Sequence, residues 1–348
     1  MRENSVKLKI DSLQAIRAFA AIAVMFFHGT QIIHERIGYL FLNNIFIAGF
    51  SGVDIFFVLS GFIILHTSSV SKINSTNFIK KRFIRIYPIY WLVTFLLIIS
   101  YLISPSTEQA YRGDLGIIFG SLVLYPQKQY VVGVAWSLTY EIVFYLIFAL
   151  TYFRKPKFLF YALTLWGFII LLAQIFKIKT GIFAIDALIH PLILNFAFGC
   201  FIAYIYKHYS IAYSGWFFLI GVVLFILSWS IYYHYKIILP NTTVFNGDMA
   251  RVYLFGIPAA FLILGATYLK VTVPRVLVYL GDASYSIYLV HGTVLSILIK
   301  FVNKFNQSDI FANFSGAIFL FLTTLVICCC FYSLIEKNLL KFINKSLK

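Results

Sequence analysis

The sequence predicts an all-α, polytopic integral membrane protein with about ten transmembrane helices. Three observations carry that reading. Of the 348 residues 61% are hydrophobic, and only 11% are charged, against about 25% in an ordinary soluble domain. So few charges cannot cover a water-exposed surface, whereas a chain solvated by lipid needs few. Aromatic residues reach 19%, with 38 Phe and 24 Tyr, as suits lipid contact and the membrane interface. Third, apolar runs long enough to cross a bilayer core, about 20 residues each, recur along the whole chain.

The runs lie at 12–34, 51–69, 87–104, 130–153, 158–176, 183–206, 214–234, 250–270, 283–302 and 312–335. The weakly apolar stretch 115–125 fits a short outer helix or a re-entrant piece. The first run is not a signal peptide: the cleavage-like Ala18-Phe19-Ala20 lies inside it, and it carries Arg17 and His28. No Pro/Gly/Ser linker, large soluble insertion or convincing internal repeat interrupts the series. The expectation is one transmembrane domain over residues 1–348, with no fused extracytoplasmic domain.

Charge sets the expected orientation. The net charge is +16, which in a soluble chain would point to nucleic acid. Here it reflects basic cytoplasmic loops. With the N-terminus inside, the inner loops hold most of the 28 Lys and Arg, among them Arg2, Lys7, Lys9, Lys72, Lys337, Lys341, Lys345 and Lys348. The outer loops and helix ends, with Arg36, Arg112, Lys128 and Arg251, hold about half as many. Both termini are therefore expected in the cytoplasm, as the even helix count requires. The longest outer loop is near 235–249, with Pro240, Asn241, Gly247 and Asp248. Cys200, Cys328, Cys329 and Cys330 sit in apolar runs without ligand spacing, and read as buried apolar residues. No metal site is expected.

Titratable groups inside a bilayer are costly, and each is a candidate site to weigh against a structural role. Arg17 and His28 are eleven residues apart on the first helix. That is close to three turns, so they share a face about 16 Å apart along the axis. An Arg snorkelling to the interface and a His paired in the bundle would give the same pattern, and for Arg17 alone that stays open; His28 reads as functional, because neutral imidazole is a good general base and a poor packing choice in lipid. Asp54, at the outer opening of the second helix, fits a first-turn acid or a substrate contact. The inner run Lys80-Lys81-Arg82-Phe83-Ile84-Arg85 places Arg82 and Arg85 three apart. Arg forks suit phosphate, while the positive-inside rule or anionic lipid accounts for the same cluster. Glu141, in Trp136-Ser137-Leu138-Thr139-Tyr140-Glu141, sits below the outer surface, where a carboxylate orients a histidine or accepts a proton, with a buried pair to an Arg or Tyr as the structural alternative. His291 falls near mid-membrane, with a satisfied core histidine and a substrate contact both open. Asp186 and Asn195 read as polar contacts between helices. His34, His66, His190, His208 and His234 fall near helix ends and take no role. The groups form two poles: His28, Asp54 and Glu141 outward, and Arg17, Lys81, Arg82 and Arg85 inward.

At these residues the chain resembles acyltransferase family 3, the membrane O-acyltransferases of bacteria. The matching segments are the Arg17 to His28 spacing with Leu13-Gln14-Ala15-Ile16-Arg17-Ala18-Phe19-Ala20-Ala21, Gly52-Val53-Asp54-Ile55-Phe56-Phe57-Val58-Leu59-Ser60-Gly61, Arg82-Phe83-Ile84-Arg85-Ile86-Tyr87-Pro88, Trp136 to Glu141, and Ser284-Tyr285-Ser286-Ile287-Tyr288-Leu289-Val290-His291. Each is weak alone; five in order are specific. The stretch Arg251 to Ala260 further resembles exopolysaccharide-modifying members. The resemblance implies transfer of an acyl group, usually acetyl, from acyl-CoA to a hydroxyl of a surface or secreted glycan, in the bacterial cytoplasmic membrane. It implies that His28 matches the family's essential histidine and Arg17, Arg82 and Arg85 its arginines.

The expected assignment follows. His28 and Glu141 are catalytic, with Glu141 orienting His28 or stabilising its imidazolium. Arg17, Lys81, Arg82 and Arg85 hold the phosphates of acetyl-CoA. Asp54, Trp136, Tyr140 and His291 contact the acceptor, a glycan or lipid-linked sugar. Membrane lipids and polysaccharide biosynthesis or export proteins are the expected partners. A transporter or flippase for a glycan or lipid-linked sugar shares the helices and the basic inner face, but needs no acyl-CoA. An acyltransferase acting on a lipid or small secondary metabolite keeps the chemistry and changes the acceptor.

Overall fold

Apolar runs of this length must close their own backbone hydrogen bonds in lipid, which only helices do within one segment. The computed structural model describes residues 10–71, 73–103, 113–238 and 249–346. Among them there is no strand, and ten helical segments are long and apolar enough to cross a bilayer. Arg2, Lys7, Lys9, Lys72, Arg112 and Lys348 lie outside the described residues. So do Pro240, Asn241, Gly247 and Asp248.

Helix α1 (Asp11–Ile37) leads into a 3-10 segment (Phe41–Ser51) and α2 (Gly52–Val70). Then come α3 (Ser75–Ile103), the short α4 (Leu115–Leu122), α5 (Trp136–Tyr152) and α6 (Pro156–Ile175). The pair α7 (Phe183–Leu188) and α8 (Ile193–His208) is broken at His190-Pro191. Next are α9 (Ser214–Ile238), α10 (Met249–Arg251) and α11 (Ile257–Tyr268), the last two joined by a π-helical turn (Val252–Gly256). The chain ends in α12 (Arg275–Asp282), α13 (Ser284–Lys304), α14 (Ser308–Phe311), α15 (Phe314–Phe331), a second π-helical turn (Tyr332–Glu336) and α16 (Lys337–Ser346).

Helices in lipid associate through close packing, so small residues mark the crossings. A Cβ on Gly61 would lie 2.1 Å from the Phe196 carbonyl oxygen, and one on Gly199 would lie 2.0 Å from that of Val58. Only glycine lets α2 and α8 touch backbone to backbone. Helix α1 is central, packed on α12, α13 and the 41–51 segment.

Two expected boundaries move. The second crossing starts at Phe41, not 51, because a left-handed turn at Leu42–Asn44 (φ 46 to 61°) adds the 3-10 segment in front of α2. Side chains of α9 pin it: Trp229 donates to the Ile45 carbonyl at 2.7 Å and Tyr233 to that of Asn43 at 3.3 Å. Asp54 therefore lies well inside this crossing rather than at its start, two residues after Gly52, which meets the Ala20 carbonyl of α1. The third crossing starts at Ser75, so Lys81, Arg82 and Arg85 lie on α3 itself rather than in a loop.

The stretch 115–125 contains the eight-residue α4, capped by Asp114, which accepts from Gly116 N and Ile117 N. It folds back beside α3. Tyr90, Trp91 and Tyr87 donate to the carbonyls of Ser121, Leu122 and Val123 at 2.8, 2.8 and 3.2 Å. Those aromatics stand about 18–24 Å above the start of α3. The free carbonyls at the end of α4 are thus satisfied by side chains, as a helix end away from water requires. Of the cysteines, Cys200 and Cys328 are buried as expected, while Cys329 is half-buried and Cys330 exposed. Successive helix positions turn by about 100°, so three in a row cannot all face inward.

Candidate active site

Helix α1 carries both poles. Near its start Arg17 lines a cavity of about 160 Å³ with Arg82 and Arg85 of α3, Ser60 of α2, Glu141 and Tyr145 of α5, and Tyr285 and Tyr288 of α13. Three turns on, His28 lines a second cavity of about 790 Å³, walled by Tyr130–Val134, by α13 from Leu289 to Val294, and by Glu35, Arg36 and Lys300.

In the second cavity His28 meets His291. His28 Nδ1 lies 3.0 Å from His291 Nε2, and the rings are stacked with centroids 5.2 Å apart. His291 Nδ1 lies 2.9 Å from the carbonyl oxygen of Ile287, one turn earlier on α13. A backbone carbonyl only accepts, so His291 carries its hydrogen on Nδ1. In the neutral pair its Nε2 is then the acceptor, and His28 Nδ1 donates to it. This leaves His28 Nε2 with a free lone pair. His291 is 1% exposed, whereas His28 is half-buried. The second ring fixes the tautomer and orientation of the first, as a hydrogen-bonded partner does for histidine generally.

The arginine cavity is asymmetric. Arg85 donates to Glu336 Oε1 at 3.0 Å, and Ser286 donates to Glu336 Oε2 at 2.5 Å. Glu336 is fully buried. The π-helical turn Tyr332–Glu336 carries this carboxylate at its end. Arg82 lies over Phe78 (5.4 Å) and Tyr145 (5.9 Å), with its buried Nε unbonded. Arg17 donates to Gln14 Oε1 at 3.4 Å. Arg17 and Arg82 thus keep donors for an anion, while Arg85 is largely neutralised by its partner. Glu141 accepts from Ser60 (2.7 Å) and from Tyr145 (2.5 Å).

Tyr288 stands between the cavities. Its hydroxyl is 2.6 Å from Ser137 Oγ and donates to the Val134 carbonyl at 3.0 Å. Ser137 and Tyr288 line the arginine cavity, and Val134 lines the His28 cavity. A basic pocket at one end of α1, a histidine base three turns on and a tyrosine between them can hold an anionic carrier and deprotonate a second substrate arriving from the other side.

Comparison with known proteins decides the class. A family model described as an acyltransferase domain matches residues 10–333. The chain belongs to this acyltransferase family. The acyltransferase is 27% identical over 268 residues to the exopolysaccharide production protein ExoZ of Rhizobium meliloti (strain 1021), covering 73% of this chain and 79% of that protein. It is 35% identical over 157 residues to the acyltransferase MdmB of Streptomyces mycarofaciens, covering 42% of this chain and 40% of that protein. No solved structure matches. The chain is thus a multi-pass membrane acyltransferase.

The structure gathers some of the expected residues and separates others. Arg17, Arg82, Arg85, His28 and His291 line the two cavities of the acyltransferase. Glu141 does not reach His28: its hydrogen bonds go to Ser60 and Tyr145, and it lines the arginine cavity. Helix α5 starts only at Trp136, after the segment that walls the His28 cavity, so a residue one and a half turns along it falls to the arginine side. His291 occupies the place expected of Glu141. Lys81 is exposed and lines neither cavity; one residue from Arg82 is about 100° around the helix.

Asp54, Trp136 and Tyr140 also line neither cavity. Asp54 is fully buried and is held by Arg251, with Nη2–Oδ2 2.9 Å and Nε–Oδ2 3.1 Å, and by Asn195 Nδ2 at 2.9 Å. Arg251 also lies over Phe50 (4.7 Å) and Trp136 (5.9 Å), and Tyr140 packs on His190 at 4.9 Å. This cluster ties α2, α5, α8 and α10 together. Asn195 makes an inter-helix contact, as expected. Asp186 instead accepts locally from Thr180.

Sequence reasoning missed Glu336, which lies one residue past the last expected run. Its signal was an acid directly following 20 or more apolar residues. It also counted Arg251 only among the outer-loop and helix-end charges, although the Arg251 to Ala260 stretch resembles exopolysaccharide-modifying proteins.

Proposed function

We propose that this membrane acyltransferase moves an acyl group, acetyl by the family resemblance, from acyl-CoA to a hydroxyl of a cell-surface or secreted glycan. The observation that carries the reading is the alignment on α1. Arg17, with spare donors, faces one cavity, and His28, with a free Nε2 lone pair, faces another on the opposite side of Tyr288. An anionic carrier and an uncharged acceptor can then approach from opposite faces.

Acyl-CoA is made in the cytoplasm, so the Arg17 end is assigned to that side and the protein to the cytoplasmic membrane. Arg17 and Arg82 bind the donor's phosphates, and the thioester arm extends past Tyr288. The acceptor hydroxyl gives its proton to His28 Nε2 as its oxygen attacks the thioester carbonyl. The C–O bond forms, the C–S bond breaks, and the sulfur leaves as the thiol, taking the proton returned by the imidazolium. His291 holds His28 in its Nδ1–H form throughout. A two-step route, in which His28 is itself acylated and then discharged to the sugar, uses the same atom. The glycan class rests on the match to the exopolysaccharide production protein.

The test uses membranes containing the protein, acetyl-CoA labelled in the acetyl group, and polysaccharide from a strain lacking the gene. Label in alkali-labile ester on the polysaccharide supports the reading. Labelling equal to that of membranes without the protein would rule out this donor–acceptor pair.

A further inference from the structure

Beyond the arginine cavity the protein has a second basic surface that the mechanism above does not use. Lys337, Lys341 and Lys345 recur every four residues on α16, so they share one stripe of the helix. That stripe lines a cavity of about 530 Å³ together with Arg17, Arg85 and Asn344. The two acids lining it are Asp282 and Glu336, and Glu336 is already bound by Arg85 and Ser286. Five cations therefore face two carboxylates.

We propose that the lysine stripe of α16 forms, with Arg17, the outer part of the donor site and binds the nucleotide phosphates of acyl-CoA. This rests on the acyl-CoA reading given above. Three features favour it over charges that merely follow the positive-inside rule. First, all three lysines line one cavity. Second, Arg17 and Arg85 line both this cavity and the inner one, so a ligand anchored at α16 leads directly into the space below Tyr288. Third, a carrier with several phosphates presents more charge than the spare donors of Arg17 and Arg82 can meet, and guanidinium and ammonium groups together supply it. The family match ends at residue 333, so α16 lies outside the matched residues.

The chemistry recognised is phosphate, which a lipid headgroup also offers, and the experiment separates the two sources. Full-length protein is placed in nanodiscs of phosphatidylcholine alone. Binding of coenzyme A and of 3′-dephospho-coenzyme A is measured for wild type and for the Lys341→Gln/Lys345→Gln double variant. Both lysines are exposed, so the variant keeps the fold, which its thermal unfolding checks. The expected result is that the variant binds coenzyme A about tenfold more weakly, and that the preference for coenzyme A over the dephospho form shrinks. If wild type binds coenzyme A and the variant binds it equally well, the α16 assignment is overturned and the donor reading stands. The assignment is overturned equally if the variant's only defect is lost enrichment of phosphatidylglycerol in mixed-lipid discs. If wild type binds no coenzyme A, the donor reading falls and this inference falls with it.

Discussion

His28 Nδ1 lies 3.0 Å from His291 Nε2, and the far nitrogen of His291 is tied to the Ile287 carbonyl at 2.9 Å. This chain of two bonds leaves one outcome for the neutral pair, a lone pair on His28 Nε2. In the proposed mechanism His291 acts through His28, as a positioning residue.

Substitution at His291 should therefore grade by hydrogen bonding rather than size. His291→Phe is expected to lower kcat about 100-fold with donor KM little changed. His291→Gln, which can accept from His28 and donate to Ile287, should recover most of the loss. Equal activity for the two variants would remove the positioning role.

The arginines should separate in the same way. Arg82 has a buried Nε without a partner, so Arg82→Gln is expected to raise donor KM about tenfold while kcat and folding hold. Arg85→Ala strands the fully buried Glu336 and should instead destabilise the protein by about 3–5 kcal/mol. Paired steady-state kinetics and thermal unfolding in detergent check both. A pure KM effect at Arg85 would contradict the assignment.

Asp54 is expected to matter for stability more than for chemistry. Asp54→Ala leaves Arg251 buried and unpaired, a loss of about 3–5 kcal/mol. The double variant Asp54→Leu/Arg251→Met should regain most of it, since an apolar pair replaces the ion pair. Thermal unfolding of the three variants decides. A double variant as unstable as the single one would show that the pair is more than a structural clasp.

The π-helical turn at Val252–Gly256 brings Gly256 against Asn195, where an added Cβ would lie 2.1 Å from Oδ1. Gly256→Ala is expected to cost about 1–3 kcal/mol, read as a lowered unfolding temperature. An unchanged temperature would mean that the Asn195–Asp54 contact is dispensable.

The crossings were legible because a bilayer demands about 20 apolar residues from each helix, and composition reports that directly. The pairing of Arg17 and His28 on α1 was legible because helical spacing fixes a shared face. What the sequence left hidden depends on contacts between distant elements. His291 reaches His28 across 263 positions, and Glu336 reaches Arg85 across 251. Glu141 was assigned to the wrong pole because its depth depends on where α5 starts, which the fold of 113–135 sets. Lys81 was grouped with Arg82 by adjacency, although one residue along a helix changes the face.

The central claim is that His28 Nε2 receives the acceptor's proton during acyl transfer. The most direct measurement is the O-acetyl content of surface polysaccharide, by proton NMR, in a gene-deletion strain carrying wild type or His28→Gln at matched membrane levels. Acetyl signals are expected to be restored by wild type and absent with His28→Gln, while purified His28→Gln still binds coenzyme A. Acetylation restored equally by both would contradict it.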